Sequence, residues 1–306
     1  MPIQPRYLQD NEALGKQDVF CSKQMRYKLK CRDKEMILGQ RTHIMGILNV
    51  TPDSFYDGGR YSKLYDALKQ TEKMISEGAD IIDIGGESTR PGSFGVSEKE
   101  ELNRVIPVIK EVVKRFDIVL SIDTTKAKVA EEALSQGVSI VNDISGLKFD
   151  SRIAEVVARH RAGLVLMHTT SRPHDMQNKT EYNSIVHDII QSLRGSVKLA
   201  EEKGVHPESI VIDPGFGFGK TPGQNLMLLK HLKELLVLEK PVLIGTSRKS
   251  FIGRVLGGSQ LPEEKLAGTA ATMSIAIMNH ASIVRVHDVL YMKNVALMTD
   301  AVLNVN

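Results

Sequence analysis

The chain has 306 residues, 42% of them hydrophobic and 25% charged, with a formal net charge of +3. This length suffices for one barrel-sized core, and the scattered, mildly basic charge lacks the dense stripe of a nucleic-acid binder. Two cysteines, Cys21 and Cys31, without a CxxC pair, argue against a disulfide scaffold and a zinc site. No apolar run reaches the ~18 residues of a membrane span. The start, MPIQPRYLQDNEALGKQ, lacks the apolar core of a signal peptide. The expectation is a soluble cytoplasmic protein with no nucleic-acid or membrane partner.

Residues 1–43 stand apart as an N-terminal extension, in which RYKLKCRDKEMILGQRTH reads as a hairpin covering the bottom of the main domain. From residue 44 to 306, short apolar runs alternate with helical patterns. The runs are IMGILNV, ADIIDIG, VLSIDT, SIVNDIS, LVLMHT, IVIDPG, PVLIGTS and SIVRVHD. They are continuous and rich in Ile and Val, as in parallel strands buried on both faces. Between them, LYDALKQTEKMISEG, EKEELNRVIPVIKEVVKR and AKVAEEALSQG place apolar residues at three- and four-residue spacing. Pro107 marks a kink in the second of these. LMLLKHLKELLVLEK reads as one outer helix, and the last two helices are apolar enough to pack inward or to form a homodimer face. Alternation alone permits a doubly wound sheet. The count of about eight units in the length after residue 43 favours a (β/α)8 TIM barrel.

In such a barrel, chemistry collects at the C-terminal ends of the strands. There the runs carry, in order, Asn49; Asp83 with Thr89 and Arg90 just beyond; Asp123; Asn142 and Asp143; His168; Asp213; Ser247 and Lys249; and Arg285, His287 and Asp288. One Asp at a strand end is as often a turn or cap residue as a functional one. A whole ring of polar groups facing one mouth is not explained by caps, because buried polar groups are costly unless paired. Asp and Asn suit the edge of a nitrogen-rich ring. Arg90, Arg285 and His287 suit an anion, and Asn49 offers an oxygen to a Mg²⁺ bridging phosphate oxygens. The residues point to an enzyme acting on a heterocycle that bears a phosphate or diphosphate.

GFGFGKT, after IVIDP, imitates a phosphate loop but fails the count. The P-loop needs a glycine five residues before the one that precedes the lysine, and Pro214 stands there instead. The dinucleotide fingerprint fails as well, since Lys220 occupies the third glycine position. The segment therefore reads as a strand-to-helix loop, with Lys220 a solvated loop residue. His168 reads as a supporting residue, and His43, His160, His187, His206 and His231 as surface residues.

ILNVTPDSFYDGG, GGESTRPG, IDTTK, VNDISG, LMHT, DPGFGFGKT, GTSRKSFIG and RVHDV resemble, in content and order, the motifs of the dihydropteroate synthase family. The resemblance implies a (β/α)8 barrel that joins 6-hydroxymethyl-7,8-dihydropterin diphosphate to 4-aminobenzoate, with Mg²⁺ assisting, in a class of enzymes targeted by sulfonamides. It implies that Asp123, Asn142, Asp213, Lys249 and Arg285 hold the pterin. Asn49, Thr89, Arg90, Arg285 and His287 would hold the diphosphate, with Asn49 on the metal. Thr89, Phe218, Ser247 and Lys249 would line the 4-aminobenzoate side, and the helix after Ser247 would face its carboxylate. Asp83 or Asp123 would stabilise a cation formed at the pterin methylene, and Lys249, Arg285 and His287 would share in catalysis. Loops after the first two strands, with Tyr56 and Phe94 on them, would close over the site, and the protein would be a homodimer. Rival readings are a pterin-dependent methyltransferase and a non-catalytic pterin-binding barrel. Against them stand the NVTPDSF, STRPG and SRKS segments and the presence of Asn49, Lys249, Arg285 and His287.

Overall fold

Eight apolar runs, each too short to bury itself, close on one another. In the computed structural model, which describes residues 26–51, 60–90, 92–258 and 261–305, they form a closed parallel barrel. Its strands are β3 (His43–Asn49), β4 (Ile81–Gly85), β5 (Val119–Asp123), β6 (Ile140–Asp143), β7 (Gly163–Met167), β8 (Ile210–Asp213), β9 (Val242–Ile244) and β10 (Ala281–Val286). The strand order is sequential, and β10 pairs with β3 to complete the ring. Helices α1 (Arg60–Ser76), α2 (Glu98–Arg115), α3 (Ala127–Ser135), α4 (Arg152–His160), α5 (Ile185–Glu202), α6 (Pro222–Lys230), α7 (Ser250–Val255), α8 (Pro262–Met278) and α9 (Val289–Leu303) surround it. This is the expected (β/α)8 TIM barrel.

Alternation along the strands sorts side chains into two cores. Ile44, Leu48, Ile82, Ile84, Ile122, Leu164 and Ile212 turn outward and pack with the apolar stripes of the helices. Met45, Ile81, Ile140, Val165, Val211, Leu243 and Ile283 turn inward and form a separate cluster at the barrel floor. Two residues further along the same inward rows come Asp83, Asn142, Asp213 and Arg285. Ser121 and then Asp123 come after Val119 on the same row of β5. The rows of β4, β5, β6, β8 and β10 are thus apolar at the bottom and polar at the top, and that change of chemistry places the site.

The floor is closed by an antiparallel hairpin, β1 (Tyr27–Cys31) and β2 (Lys34–Leu38). Leu29, Cys31 and Leu38 are almost fully buried in the floor cluster. Arg32, in the left-handed region at φ 62°, turns the chain between them. Its guanidinium donates to the carbonyls of Leu134 and Val138 at 2.7 and 3.1 Å. Residues 1–25 of the N-terminal extension lie outside the described residues.

Two expectations change. His43 is buried rather than at the surface, and burial pushes its pKa down to about 4. The segment 226–240 is not one helix. A capping box between Thr221 and Gln224, with Pro222 in the first turn, starts α6 early, and the chain leaves α geometry at His231 for a 3-10 turn, Leu232–Leu238. Pro107, where a kink is expected, lies inside the continuous helix α2.

Candidate active site at the C-terminal mouth of the barrel

Asp83, on the second barrel strand, is fully buried and carries the deepest charge of the polar layer. Its Oδ2 accepts from Arg285 Nε at 2.6 Å and from Asn142 Nδ2 at 3.0 Å. Arg285 Nη2 reaches on to Asp123 Oδ2 at 2.7 Å. One guanidinium fork therefore spans two carboxylates, the arrangement for which its planar donors are shaped. Asp123 and Asn142 are direct neighbours across β5 and β6. Burial raises the Asp123 pKa well above the usual carboxylate range against the pull of Arg285, and the nearby Asp83 charge adds to the rise.

On the opposite wall, Asp213 Oδ1 accepts the Gly215 N–H at 2.7 Å, and burial pushes its pKa up to about 6. The Lys249 ammonium lies 4.1 Å from the centroid of the Phe218 ring, a cation–π contact. Burial, with Arg285 nearby, lowers the Lys249 pKa to about 8. Ser247 Oγ accepts the His287 backbone N–H at 3.2 Å and stands 3.0 Å from His287 Nδ1. Burial and the charge of Arg285 push the His287 pKa down to about 3, so its imidazole is neutral at pH 7. The Ser247 oxygen keeps a second lone pair and its own proton, so it pairs with Nδ1 in either tautomer, and in the one where it donates the ring proton is on Nε2.

Asp83, Asp123, Asn142 and Arg285 thus form one hydrogen-bonded cluster. Asp213, Lys249 and Phe218 form a second wall, and Ser247 with His287 a third. The Ser247 hydroxyl is engaged with His287. Asn49, half-buried at the end of β3, flanks Gly85. A Cβ built on Gly85 would stand 3.6 Å from Asn49 Oδ1 and 3.8 Å from Asp123 Oδ2, so the missing side chain leaves these oxygens facing a common space. Thr89 and Arg90 are not drawn into the cluster. They sit on the loop after β4, where Arg90 is exposed and neither shares a hydrogen bond with the cluster residues. That loop touches the one after β7, through Gly92 N–H to Pro173 O at 3.1 Å and stacking of Phe94 on His174. Tyr56 and most of the loop after β3 lie outside the described residues. α7, which comes after Ser247, has only six residues, so the expected helix-end field on a substrate carboxylate is small.

Sequence reasoning misplaced Lys220. It is 3% exposed, not solvated. Its Nζ donates to Gly215 O at 2.8 Å and Phe218 O at 3.0 Å, and lies 3.1 Å from His168 Nδ1. His168 is a buried supporting residue, as expected. Sequence reasoning also passed over Asn225, fully buried, whose Oδ1 accepts the Gly217 N–H at 2.7 Å. The one hint was an Asn in the first turns of a helix, right after a glycine-rich loop.

A polar-walled barrel mouth with paired carboxylates and a buried arginine defines an enzyme site for a polar, nitrogen-rich ring. The family described as pterin binding enzyme matches residues 45–287. A dihydropteroate synthase of Synechocystis sp. is 50% identical over 263 residues, covering 86% of this chain and 91% of the relative. One of Clostridium beijerinckii is 48% identical over 276 residues, covering 90% and 99%. Among solved structures, the dihydropteroate synthase of Clostridium difficile in the presence of pteroic acid superposes with a TM-score of 0.82 at 49% identity, covering 87% of this chain and 98% of that one. The Xanthomonas albilineans enzyme with 4-aminobenzoic acid gives 0.85 at 39% identity, covering 92% and 100%. The chain belongs to the pterin-binding enzymes and, among them, to the dihydropteroate synthase family.

Proposed function

We propose that this chain condenses 6-hydroxymethyl-7,8-dihydropterin diphosphate with 4-aminobenzoate, giving 7,8-dihydropteroate and diphosphate, and that the walls of the barrel mouth divide the work. The observation that carries the reading is the Asp83–Arg285–Asp123 chain, with Asn142 attached, at the mouth of a barrel about half identical to known dihydropteroate synthases. Asp123, Asn142, Asp213 and Lys249 receive the pterin edge, where carboxylates match its adjacent N–H donors. Asp83 works from beneath, as a brace that aims both Arg285 and Asn142. Arg285 stacks on the pterin face and meets the diphosphate, and His287 offers its Nε2–H to the same anion. Thr89 and Arg90 reach the diphosphate from the loop after β4.

In the reaction, the pterin methylene C–O bond breaks and its electron pair leaves with diphosphate. The dihydropterin ring delocalises the positive charge that develops on the methylene carbon. The fixed carboxylates of Asp83 and Asp123 favour that charge electrostatically. The 4-aminobenzoate nitrogen then forms the C–N bond and loses a proton. Phe218 and Lys249 bound the aminobenzoate side, with Thr89 and Ser247 at its edge. The Yersinia pestis dihydropteroate synthase has been solved in complex with a sulfonamide drug, and the same side of this site is the place for such a drug to bind here.

Mg²⁺ fits the donor set. Among the described residues, no group of three or more His, Cys, Asp or Glu could cage a metal. Asn49, through its Oδ1, would hold a hard cation beside the substrate phosphates, a sparse oxygen site of the kind that suits Mg²⁺. When bound, it would neutralise charge on the leaving diphosphate. The chain's proposed place of action is the cytoplasm, and no described helix is long and apolar enough to cross a membrane. The apolar outer faces of α8 and α9 support a homodimer.

The test is to mix purified protein with both substrates and Mg²⁺, following diphosphate and dihydropteroate together, with Arg285→Ala alongside. Equal rates of both products, reduced more than a hundredfold in the variant, are expected. Pterin binding without dihydropteroate formation would move the reading to a methyltransferase or a non-catalytic barrel. The variant also leaves two buried carboxylates without their cation, so its melting temperature should fall. Breaking a buried pair costs about 3–5 kcal/mol, and the 17% exposure of the Arg285 side chain puts this case near the lower end.

A further inference from the structure

Lys220 closes the GFGFGK turn from inside. Its ammonium has three N–H donors, and three acceptors surround it: Gly215 O, Phe218 O and His168 Nδ1. None of the three is a carboxylate. The carboxylate whose charge favours it, Asp213, makes no hydrogen bond to it, and burial outweighs that charge, whereas a methionine would fill much of the same volume with no charge to desolvate. The lysine is therefore present for what its donors hold. Burial lowers its pKa to about 7 and pushes that of His168 to about 2, so the imidazole is neutral and accepts at Nδ1.

What the ammonium holds is a loop with little stiffness of its own. Gly215, Gly217 and Gly219 all have positive φ and few intrinsic constraints. Asp213 is fixed by the barrel itself, paired with Met167 across β7 and β8, with its carbonyl accepting the His168 N–H at 2.9 Å. Phe218 is in mid-loop. Its N–H donates to Gly215 O at 3.2 Å, and its own carbonyl accepts from Lys220. The ring on that residue is the one under the Lys249 ammonium.

We propose that Lys220 is a positioning residue for the 4-aminobenzoate side: anchored by His168, its ammonium draws the carbonyls of Gly215 and Phe218 to one point and so sets the Phe218 ring against Lys249. This rests on the synthase reading above. Its signature is selective. Loss of the donors moves the wall that meets the second substrate and leaves the pterin edge in place.

The experiment compares wild type, Lys220→Met, Phe218→Leu and the double variant in steady-state turnover, with melting temperatures alongside. Expected for Lys220→Met is a roughly tenfold rise in the KM for 4-aminobenzoate, with the KM for the pterin diphosphate within about twofold. A misplacement of about 1 Å suffices for an effect of that order. In the Phe218→Leu background the Lys220→Met effect should shrink to less than about twofold, because residues acting as one unit are not additive. Equal rises in both KM values, a full tenfold effect persisting without Phe218, or no change in either KM each overturns the proposal. Should Lys220→Met not fold, Lys220→Leu, which likewise lacks donors, takes its place under the same criteria. Failure of both to fold assigns Lys220 to stability alone and also overturns it. A wild type that makes no dihydropteroate sinks the synthase reading itself, whereas an active wild type with an indifferent Lys220 sinks only this inference.

Discussion

Asp213 shows at one residue how the site trades stability for binding. It is 5% exposed, and burial lifts its pKa from the usual carboxylate value to about 6, the Gly215 N–H and the charges of Lys249, Lys220 and Arg285 offsetting only part of the rise. The ordinary value is about 3.9. Below about pH 4 the group is protonated both folded and unfolded and contributes nothing. Between about pH 4 and 6 the folded state keeps a proton that the unfolded state has lost, so stability falls as pH rises. By pH 7 the buried charge costs on the order of 3 kcal/mol. Asp213→Asn keeps an oxygen to accept the Gly215 N–H and removes the charge. Its melting temperature should exceed that of wild type by several degrees at pH 8 and match it near pH 4, while pterin affinity drops at least tenfold. Thermal melts at the two pH values, with calorimetric pterin binding, check both halves. An equal or lower melting temperature at pH 8 would mean that the buried carboxylate carries no net cost.

At the scale of an element, the strand-to-helix loop 214–221 holds the site's second wall by backbone shape. Gly215 has φ 71°, and a Cβ there would stand 2.0 Å from the His168 carbonyl oxygen, a backbone atom that cannot swing aside. Gly223, in the first turn of α6, has nothing within 4 Å of such a Cβ. Gly215→Ala should therefore lower stability by more than about 2 kcal/mol and weaken 4-aminobenzoate binding. Gly223→Ala should be neutral or stabilising by about 0.4–1 kcal/mol. Denaturant melts of the pair decide this, and similar losses in both would contradict the geometry. The same loop shows where the sequence was legible. Asp213 could be read because it ends an apolar strand run, and the strand period fixes the wall it faces. The same period made Asp83, Asp123, Asn142 and Arg285 readable as one inward layer. Lys220 could not be read so. A lysine in a glycine-rich loop is normally solvated, and only the long-range approach of His168, 52 residues away, together with two carbonyls of its own loop, explains its burial. His43 failed for a like reason, since its neighbours include Ile283 of the last strand and Lys293 of the last helix, far along the chain. The division of 226–240 escaped because an apolar pattern is shared by α and 3-10 turns, and the capping box that resets the start lies upstream.

At the scale of the whole molecule, the last two helices carry a run of exposed apolar residues among the described ones. On α9, Leu290, Tyr291, Leu297, Met298 and Val302 are each about half exposed or more, and on α8 so are Ile275 and Met278. Leu290 with Leu297, and Tyr291 with Met298, are seven residues apart, so on a helix each pair stacks on one side. α8 and α9 pack together as the last two helices of the ring. Isolated exposed apolar residues are ordinary, but a contiguous set along one helix marks an interaction surface. The active-site mouth lies at the C-terminal ends of the strands, while these side chains point outward from the flank of the barrel. A dimer formed there would leave both mouths open, with each subunit carrying a complete set of site residues. Two charges at the stripe, Tyr291→Glu with Met298→Glu, should therefore convert a dimer to a monomer in sedimentation analysis. Turnover per subunit should stay within about threefold, because neither residue belongs to the polar layer of the mouth. A double variant that stays dimeric places the contact elsewhere. One that becomes monomeric and loses turnover at an unchanged melting temperature would show instead that the barrel mouth depends on its partner.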